Sequence, residues 1–598
     1  MEHNVLDKQK LISELREIHN KLVNLYNKIF DYKFTNNNEF SDYIKEQYNQ
    51  NNIKRNDQKV WNENFCHRAS YTLLNKILFV RICEDKGFMR NPEDYIAGEI
   101  ASPHIGEKLS KKGLQKWASV ISNYTFGELI EFAFLDMKKS YNNIVLYKDN
   151  KYEILNPTEE ELDLKFIEGD SGTKKIVVEF EKILSDIIEK LDTEKFDFAK
   201  TDSNILGDVY EQFMDRETRK AIGQFYTPEF VIEYILTNTV AQADVVENPF
   251  VTVADISCGS GHFLIMAYDI LREKFINNLE ELRNKYSDET YEITKGGNEE
   301  YISGREYWVK ENIHYHLLKH CIYGPDIDSF AVQLTTINLL LKDLDNFTDE
   351  LNIVECDSLI KWEDNYDWKD LKEQLEEKFE IIPTMQINLF GQEEKIIVKQ
   401  KKERYKLKYK SDKGETEIKE ISSEVAKELL KLDEFWSNKF DFIVGNPPYM
   451  GQKGNKRLFE RFRNNEYWKN YYERKQDIYY YFIIRGIDVL ETGGKLGFIT
   501  PPYWLTANAA GKLKQYIIDN SKLLKIFEFG NEKIFDDAQI NGNIFIFAKI
   551  KSKNIPIYVY EFDKKRRKFN RYNSRFTNDD LTTGMWNIFS HNDDVFVN

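Results

Sequence analysis

Apolar residues Leu11, Leu15, Ile18, Leu22, Leu25 and Ile29 recur at alternating steps of four and three, with charged residues between them. This is the pattern of a helix with one narrow apolar seam. The seam needs a cover, either the chain's own following helices or a helix of a partner. A second helical run spans Tyr71 to Phe88, with Leu73, Leu74, Ile77, Leu78, Phe79 and Ile82 apolar and Gly87 placed as its C-terminal cap. Helical spacing continues to about Lys200 and includes Ile176 to Leu191. From Phe250 the pattern changes to short β-rich runs separated by helices: Val251 to Ile256, Cys321 to Ile327, Asn352 to Cys356, Phe440 to Val444 and Lys495 to Thr500. The alternation predicts an α/β fold with a doubly wound, mainly parallel sheet, which binds ligands at the carboxyl ends of its strands. A charged stretch from about Lys361 to Asn438, Glu-rich over Glu373 to Glu380 and Lys-rich over Lys395 to Lys413, reads as an insertion. It is either a solvated helical arm or flexible excursion, or a nucleic-acid or partner contact.

Composition narrows the class. At 598 residues and 41% hydrophobic the chain is long enough for several cores. No run approaches the roughly 18 apolar residues that span a membrane, and Met1 to Lys10 is charged without an apolar signal segment behind it, so a soluble cytoplasmic protein is expected. Cys66, Cys83, Cys258, Cys321 and Cys356 are scattered, without disulfide or metal-ligand spacing, and no metal is expected. A net charge of -16 argues against indiscriminate coating of nucleic acid and leaves room for a local basic groove.

Four strand-end segments carry candidate chemistry. Asn446-Pro447-Pro448-Tyr449 follows the apolar run Phe442 to Gly445. The prolines fix their own φ and hold the preceding residues extended, so the strand ends in a stiff loop. Asn446 oxygen and the next carbonyl can accept two hydrogen bonds from an amine while Tyr449 stacks on the ring that carries it. Alone, the same residues also suit a plain Pro-rich turn. Asp255-Ile256-Ser257-Cys258-Gly259-Ser260-Gly261-His262-Phe263 joins a strand to a helix, and its glycines allow close approach of backbone N–H groups to a ligand. Asp326 is placed to accept from ribose hydroxyls, Asp328 to cap a helix, and Asp357 either to accept from an adenine amine or to cap the next helix. A Gly-Lys-Ser/Thr phosphate loop is absent from this pocket.

In this order the segments resemble the N6-adenine DNA methyltransferases of restriction–modification and phage-defence systems that carry a helical region ahead of the catalytic domain. Ile205 to Glu211 and Gly223-Gln224-Phe225-Tyr226-Thr227-Pro228 are similar to the segment that closes over the methionine part of S-adenosylmethionine, and Gly493 to Pro501 and Ile534 to Ala538 to later core motifs. The resemblance runs from about Arg68 to Ile550, outside the insertion. It implies a seven-stranded methyltransferase sheet and S-adenosylmethionine held by Phe225, Tyr226, Thr227, Asp255, Ser257, Gly259, Gly261, Asp326, Ile327, Asp357, Ser358 and Asn446. It also implies catalysis by Asn446, Pro447, Pro448 and Tyr449 on a flipped-out adenine stacked between Tyr449 and Phe535. Ile256 and Ser257 stand where the family usually has Pro and a small apolar residue.

The expected division is a helical arm over 1–65, a helical domain over 66–200, a cofactor-binding half of the core over 201–360, the insertion over 361–438, a catalytic half over 439–555 and a basic C-terminal segment over 556–598. DNA contacts are expected from Arg457, Arg461 and Arg463 and from Lys564, Lys565, Arg566 and Arg567. No nuclease is expected: Asp170 with Glu179-Phe180-Glu181-Lys182 has the wrong spacing and lies in a helical pattern. Only about fifty residues follow Ile550, so a separate specificity subunit, a nuclease subunit, or a recognition domain beyond this sequence is expected to choose the site on double-stranded DNA. The alternatives are a protein-glutamine or RNA methyltransferase using the same loop, or a non-catalytic subunit that keeps the fold to recognise DNA.

Overall fold

The Asp7 side chain caps the first helix, α1 (Lys8–Asn36), by accepting from Lys10 N–H at 3.0 Å. The computed structural model describes residues 7–50, 53, 55, 57–86, 109–110, 113, 125–140, 145–147, 150–158, 171–200, 227–295, 298–359, 367–376, 379–387, 393–401, 404–410, 415–453, 455–465, 467–530, 542–563, 566, 568–572 and 576–586. All six seam residues of α1 are at most 1% exposed. Their cover comes from within the chain, from α2 (Asn38–Gln50), α3 (Gln58–Lys86) and the Ser171–Lys190 helix. Each fully buried Leu or Ile contributes roughly 1.5–3 kcal/mol to that packing. The expected Tyr71 helix begins earlier, at Gln58, and runs through residue 65; its expected cap at Gly87 lies outside the described residues. The Glu181 carboxylate accepts from Phe126 and Gly127 N–H at 2.7 and 2.8 Å, at the start of the Phe126–Ser140 helix. Two residues away, Glu179 pairs with Lys28 at 2.7 Å, so these acids hold helices together.

The strands, in chain order, are β1 (Val253–Ala254), β2 (Thr290–Lys295), β3 (Asn298–Ser303), β4 (Ile322–Asp326), β5 (Asn352–Glu355), β6 (Phe379–Ile387), β7 (Glu393–Lys401), β8 (Arg404–Lys410), β9 (Thr416–Ser422), β10 (Phe440–Gly445), β11 (Leu490–Thr500), β12 (Lys522–Glu528), β13 (Asn543–Ala548), β14 (Tyr558–Asp563) and β15 (Lys568–Tyr572). The main sheet has the order β15-β14-β12-β13-β11-β10-β1-β4-β5. Pairings β1–β10, β1–β4, β4–β5, β10–β11 and β12–β14 are parallel, whereas β13 and β15 run against their neighbours. The expected doubly wound sheet is therefore present, with two differences. It has nine strands where seven were expected, because the C-terminal segment folds as the β14–β15 hairpin on the β12 edge. The insertion is also more than a helical arm: it contains the hairpins β6–β7 and β8–β9, with the Trp368–Glu376 and Ser423–Ser437 helices.

Why β10 reads as an unbroken apolar run is visible in its packing. Phe442 and Val444 enter the core shared with the helical half, whereas Phe440 and Ile443 enter a second core on the other face, with the Tyr479–Val489 and Gly511–Asn520 helices. A strand covered on both faces has no polar side to show.

Candidate active site

The directions of the strands bring the expected residues to one edge of the sheet. Strands β14, β12, β11, β10, β1, β4 and β5 all end there, which places the segments after Ala254, Asp326, Glu355 and Gly445 side by side. Gly445 takes φ +154°, and a Cβ at this position would come within 2.5 Å of the Asp255 carboxylate. Only glycine lets β10 pass that close to the loop after β1.

Asn446 is held at both ends of its amide. Its Nδ2 donates to Thr227 Oγ1 at 3.0 Å, and Tyr449 hydroxyl lies 2.5 Å from its Oδ1 and 3.0 Å from the Ile499 carbonyl oxygen. The stiff loop expected from the two prolines is present, but its amide is tethered within the chain, as half-buried polar groups require. One lone pair of Oδ1 remains beyond the Tyr449 contact. Tyr449 packs edge-on against Tyr479, with ring centroids 5.9 Å apart. From the far side Asp477 accepts the Met450 N–H at 2.9 Å, so Thr227, Ile499 and Asp477 fix the loop from three elements. Asp477 escaped the sequence reading; an acid just before the aromatic run Tyr479-Tyr480-Tyr481 was its only signal.

The acids differ in role from one another. Asp255 is 1% exposed, and burial pushes its carboxyl up to about 8, with the nearby Asp326 charge adding to the shift against the Ser257 N–H it accepts. Asp326, raised by burial to about 6, accepts from Gly259 N–H through Oδ2 and Asp328 N–H through Oδ1, both at 2.9 Å. It thus braces the glycine loop as well as standing at the expected ribose position. Asp328 caps the Ser329–Leu340 helix, as expected, and also pairs with Arg68 of α3 at 2.8 Å. Arg68 reaches the Tyr152 hydroxyl at 2.6 Å too, which ties the helical half to this edge.

Asp357 has partners of its own within the chain. Its Oδ2 is paired with Arg461 and its Oδ1 accepts from Leu359 N–H at 3.0 Å. The adenine-side acid and a residue expected on DNA therefore neutralise each other. Arg457 Nη1 likewise donates to the Asn49 carbonyl at 2.5 Å, whereas Arg463 is exposed at the end of the Lys456–Asn464 helix. All three arginines are exposed; the helix lies against the chain by the buried Phe459 and Phe462, and Arg457 and Arg461 reach acceptors along its flanks. Ser358 is buried, and Arg485, 1% exposed, holds the carbonyls of Ser358 and Leu359, each at 3.0 Å. Phe225, Tyr226, Phe535, Lys564, Lys565 and Arg567, and the segments Ile205 to Glu211 and Ile534 to Ala538, lie outside the described residues; Arg566 is exposed at the β14–β15 turn.

The loop has room for a nucleoside. Space is open where a Cβ of Gly259 would point, and Gly261 takes φ +82° at the N-cap of the His262–Asn277 helix. Ser257 Oγ is buried with no hydrogen-bond partner among the described residues, and Ile327, beside Asp326, is 63% exposed. An apolar side chain, an acid and an unmet hydroxyl around a glycine turn are the donor and contact set such a ligand uses.

Comparison with known proteins agrees with this geometry. Residues 201–413 match the N-6 DNA Methylase family and residues 320–535 the Eco57I restriction-modification methylase family. Over these residues the chain is similar to N6-adenine DNA methyltransferases and restriction-modification methylases. Among curated relatives it is 26% identical over 426 residues to the type II restriction enzyme and methyltransferase RM.Eco57I of Escherichia coli, an alignment covering 65% of this chain and 36% of that protein. It is 36% identical over 129 residues to the type II methyltransferase M.HincII of Haemophilus influenzae, covering 21% of this chain and 25% of that one. The chain thus spans well under half the length of either relative. Among solved structures, the type I restriction-modification methyltransferase subunit of Streptococcus thermophilus aligns over 92% of this chain and 90% of its own, at 14% identity and a TM-score of 0.42.

Proposed function

We propose that this chain transfers a methyl group from S-adenosylmethionine to the exocyclic N6 amine of an adenine flipped out of double-stranded DNA, as the modification component of a cytoplasmic restriction–modification or phage-defence complex. The tethered Asn446 at the sheet's carboxyl edge, beside the Asp255–Gly261 loop, is the observation that carries this reading. S-adenosylmethionine supplies an electrophilic methyl on a sulfonium. Asp326, Ile327 and the glycine turn bind the nucleoside, with Thr227 and the residues before it at its methionine end. An adenine amine is a weak nucleophile because its lone pair is delocalised into the ring. Asn446 Oδ1 and the Pro447 carbonyl accept hydrogen bonds from its two N–H groups, draw the nitrogen toward tetrahedral geometry and aim the lone pair, so positioning carries much of the rate. As the new N–C bond forms the methyl's bond to sulfur breaks, and the methylated nitrogen, cationic at first, then releases one proton to solvent. Tyr449 and Phe535 stack on the extruded ring, each face contributing roughly 1–3 kcal/mol.

In this division of labour residues 201–360 hold the cofactor, 439–555 the target base and 556–598 the phosphates, and a separate specificity or nuclease subunit completes the assembly. Asn446→Ala is expected to lower methyl transfer by about 10²–10³-fold, the scale of removing one preorganised polar group from the reacting centre, with S-adenosylmethionine affinity changed less than about tenfold. Transfer by Asn446→Ala at the wild-type rate, in single-turnover assays of the chain with the products of its flanking genes, would remove Asn446 from the reaction.

A further inference from the structure

Beside Asn446-Pro447-Pro448-Tyr449, the neighbouring strand ends in Thr500-Pro501-Pro502-Tyr503, a second Pro-Pro-Tyr. Strands β10 and β11 are parallel, with Gly445 opposite Phe498, so both Pro-Pro segments leave the sheet at the same edge. The Tyr449 hydroxyl on the Ile499 carbonyl joins them. The turn beyond β11 is rigid. Pro502–Leu505 form a 3-10 turn, and the Tyr503 carbonyl accepts from Ala507 N–H at 2.9 Å. Trp504 is fully buried, with its ring 5.1 Å from Phe545 and 5.3 Å from Trp586, and the Leu505 carbonyl accepts from Trp586 N–H at 2.8 Å. Tyr503 is 61% exposed on this pinned turn. Its ring is therefore presented to solvent by a fixed backbone.

Position along the edge says what the ring faces. The cofactor acids follow β1, β4 and β5, on one side of β10; β11 lies on the other, with β12 and the β14–β15 hairpin, whose connecting residues include Lys564 to Arg567. Because β14 is parallel to β12, its last residue, Asp563, also lies at the carboxyl edge, with Arg566 exposed beyond it. Tyr503 thus follows the strand that lies beside the catalytic loop on the side away from the cofactor acids, toward the edge that carries Arg566. We infer that Tyr503 stacks on the duplex bases that border the extruded adenine and stabilises the gap left in the helix. This rests on the adenine methyltransferase reading. Extrusion costs a few kcal/mol of stacking and pairing, and an aromatic face returns part of that at the site of loss.

The test compares wild type, Tyr503→Ala and Tyr503→Phe on a duplex whose methylated adenine has first been mapped in cells carrying the gene with its flanking genes. Each protein is assayed, with its partners, on the matched duplex and on one with an abasic site opposite that adenine. Tyr503→Ala is expected to lose roughly 5- to 150-fold in single-turnover rate on the matched duplex, the fold-change equivalent of one base–aromatic stack. The loss should largely disappear on the abasic duplex, where extrusion is already easy, and Tyr503→Phe should follow wild type on both. Equal loss on the two duplexes, or no loss on either, overturns the inference while leaving adenine methylation intact. If the mapping finds no methylated adenine, the parent reading fails and this one with it. Unchanged melting temperature and S-adenosylmethionine affinity in Tyr503→Ala exclude a folding defect.

Discussion

At the scale of single residues, the pocket is organised by what burial demands of polar groups. Asn446 is half-buried, and its amide finds Thr227 and Tyr449; if it receives an amine as proposed, its geometry is set before any substrate arrives. Asp255, shut in below Gly445, keeps its proton up to about pH 8, whereas in an unfolded chain it loses it near 3.8. Between those values the folded protein binds the extra proton, so stability falls as pH rises through the window. Asp255→Asn should remove most of that fall, leaving the smaller part due to Asp326, whose carboxyl is raised to about 6. Melting temperatures measured between about pH 5 and pH 8.5, across that window, should therefore flatten in the variant; parallel curves for the two proteins would contradict the assignment. Identities of the acids at the strand ends were readable because few residue types serve there. Their partners were not: Asp357 with Arg461, and Asp328 with Arg68, join residues far apart in the chain, and no local pattern encodes such pairs.

At the scale of elements, strands buried on both faces were legible as apolar runs, and their observed limits fall within a few residues of the expected ones, apart from the earlier start of β11 at Leu490. The α1 seam was equally clear, although only packing decided that the chain's own helices cover it. The insertion misled because its charge runs mask the alternation that hairpins require, and β8–β9 pairs Lys-rich with Glu-containing positions in register. The C-terminal basic run gave no sign of extending the sheet; its aromatic residues do this, with Phe569 packed on Tyr234 at 4.7 Å and on Phe529 at 4.9 Å. That packing fixes β15 on the sheet, and the basic run that precedes it in the sequence is proposed to meet DNA phosphates. Replacing Lys564, Lys565, Arg566 and Arg567 by Gln should weaken DNA binding at all sequences alike. The slope of log affinity against log salt should fall by up to about 3.6, near 0.9 for each phosphate no longer neutralised. An unchanged slope would move the phosphate contacts elsewhere.

At the scale of the whole molecule, one edge of one sheet carries the chemistry, and the strand order divides it. β10 lies at the boundary, with acids and glycines after β1, β4 and β5 on one side, and aromatic and basic loops after β11, β12 and β14 on the other. The helical half is bound to this edge through Arg68 and through a core it shares with one face of the sheet, so it braces the cofactor side. The most direct test of the central claim is the chemical identity of the methylated product. The chain, with the products of its flanking genes, is incubated with S-adenosylmethionine labelled in its methyl group and a mixture of unmethylated duplex DNA, RNA and protein, and the labelled species are resolved after digestion. The account predicts label in N6-methyl-2′-deoxyadenosine, lowered about 10²–10³-fold in initial rate by Asn446→Ala; label confined to protein or RNA, or carried by a methylated cytosine, would contradict it.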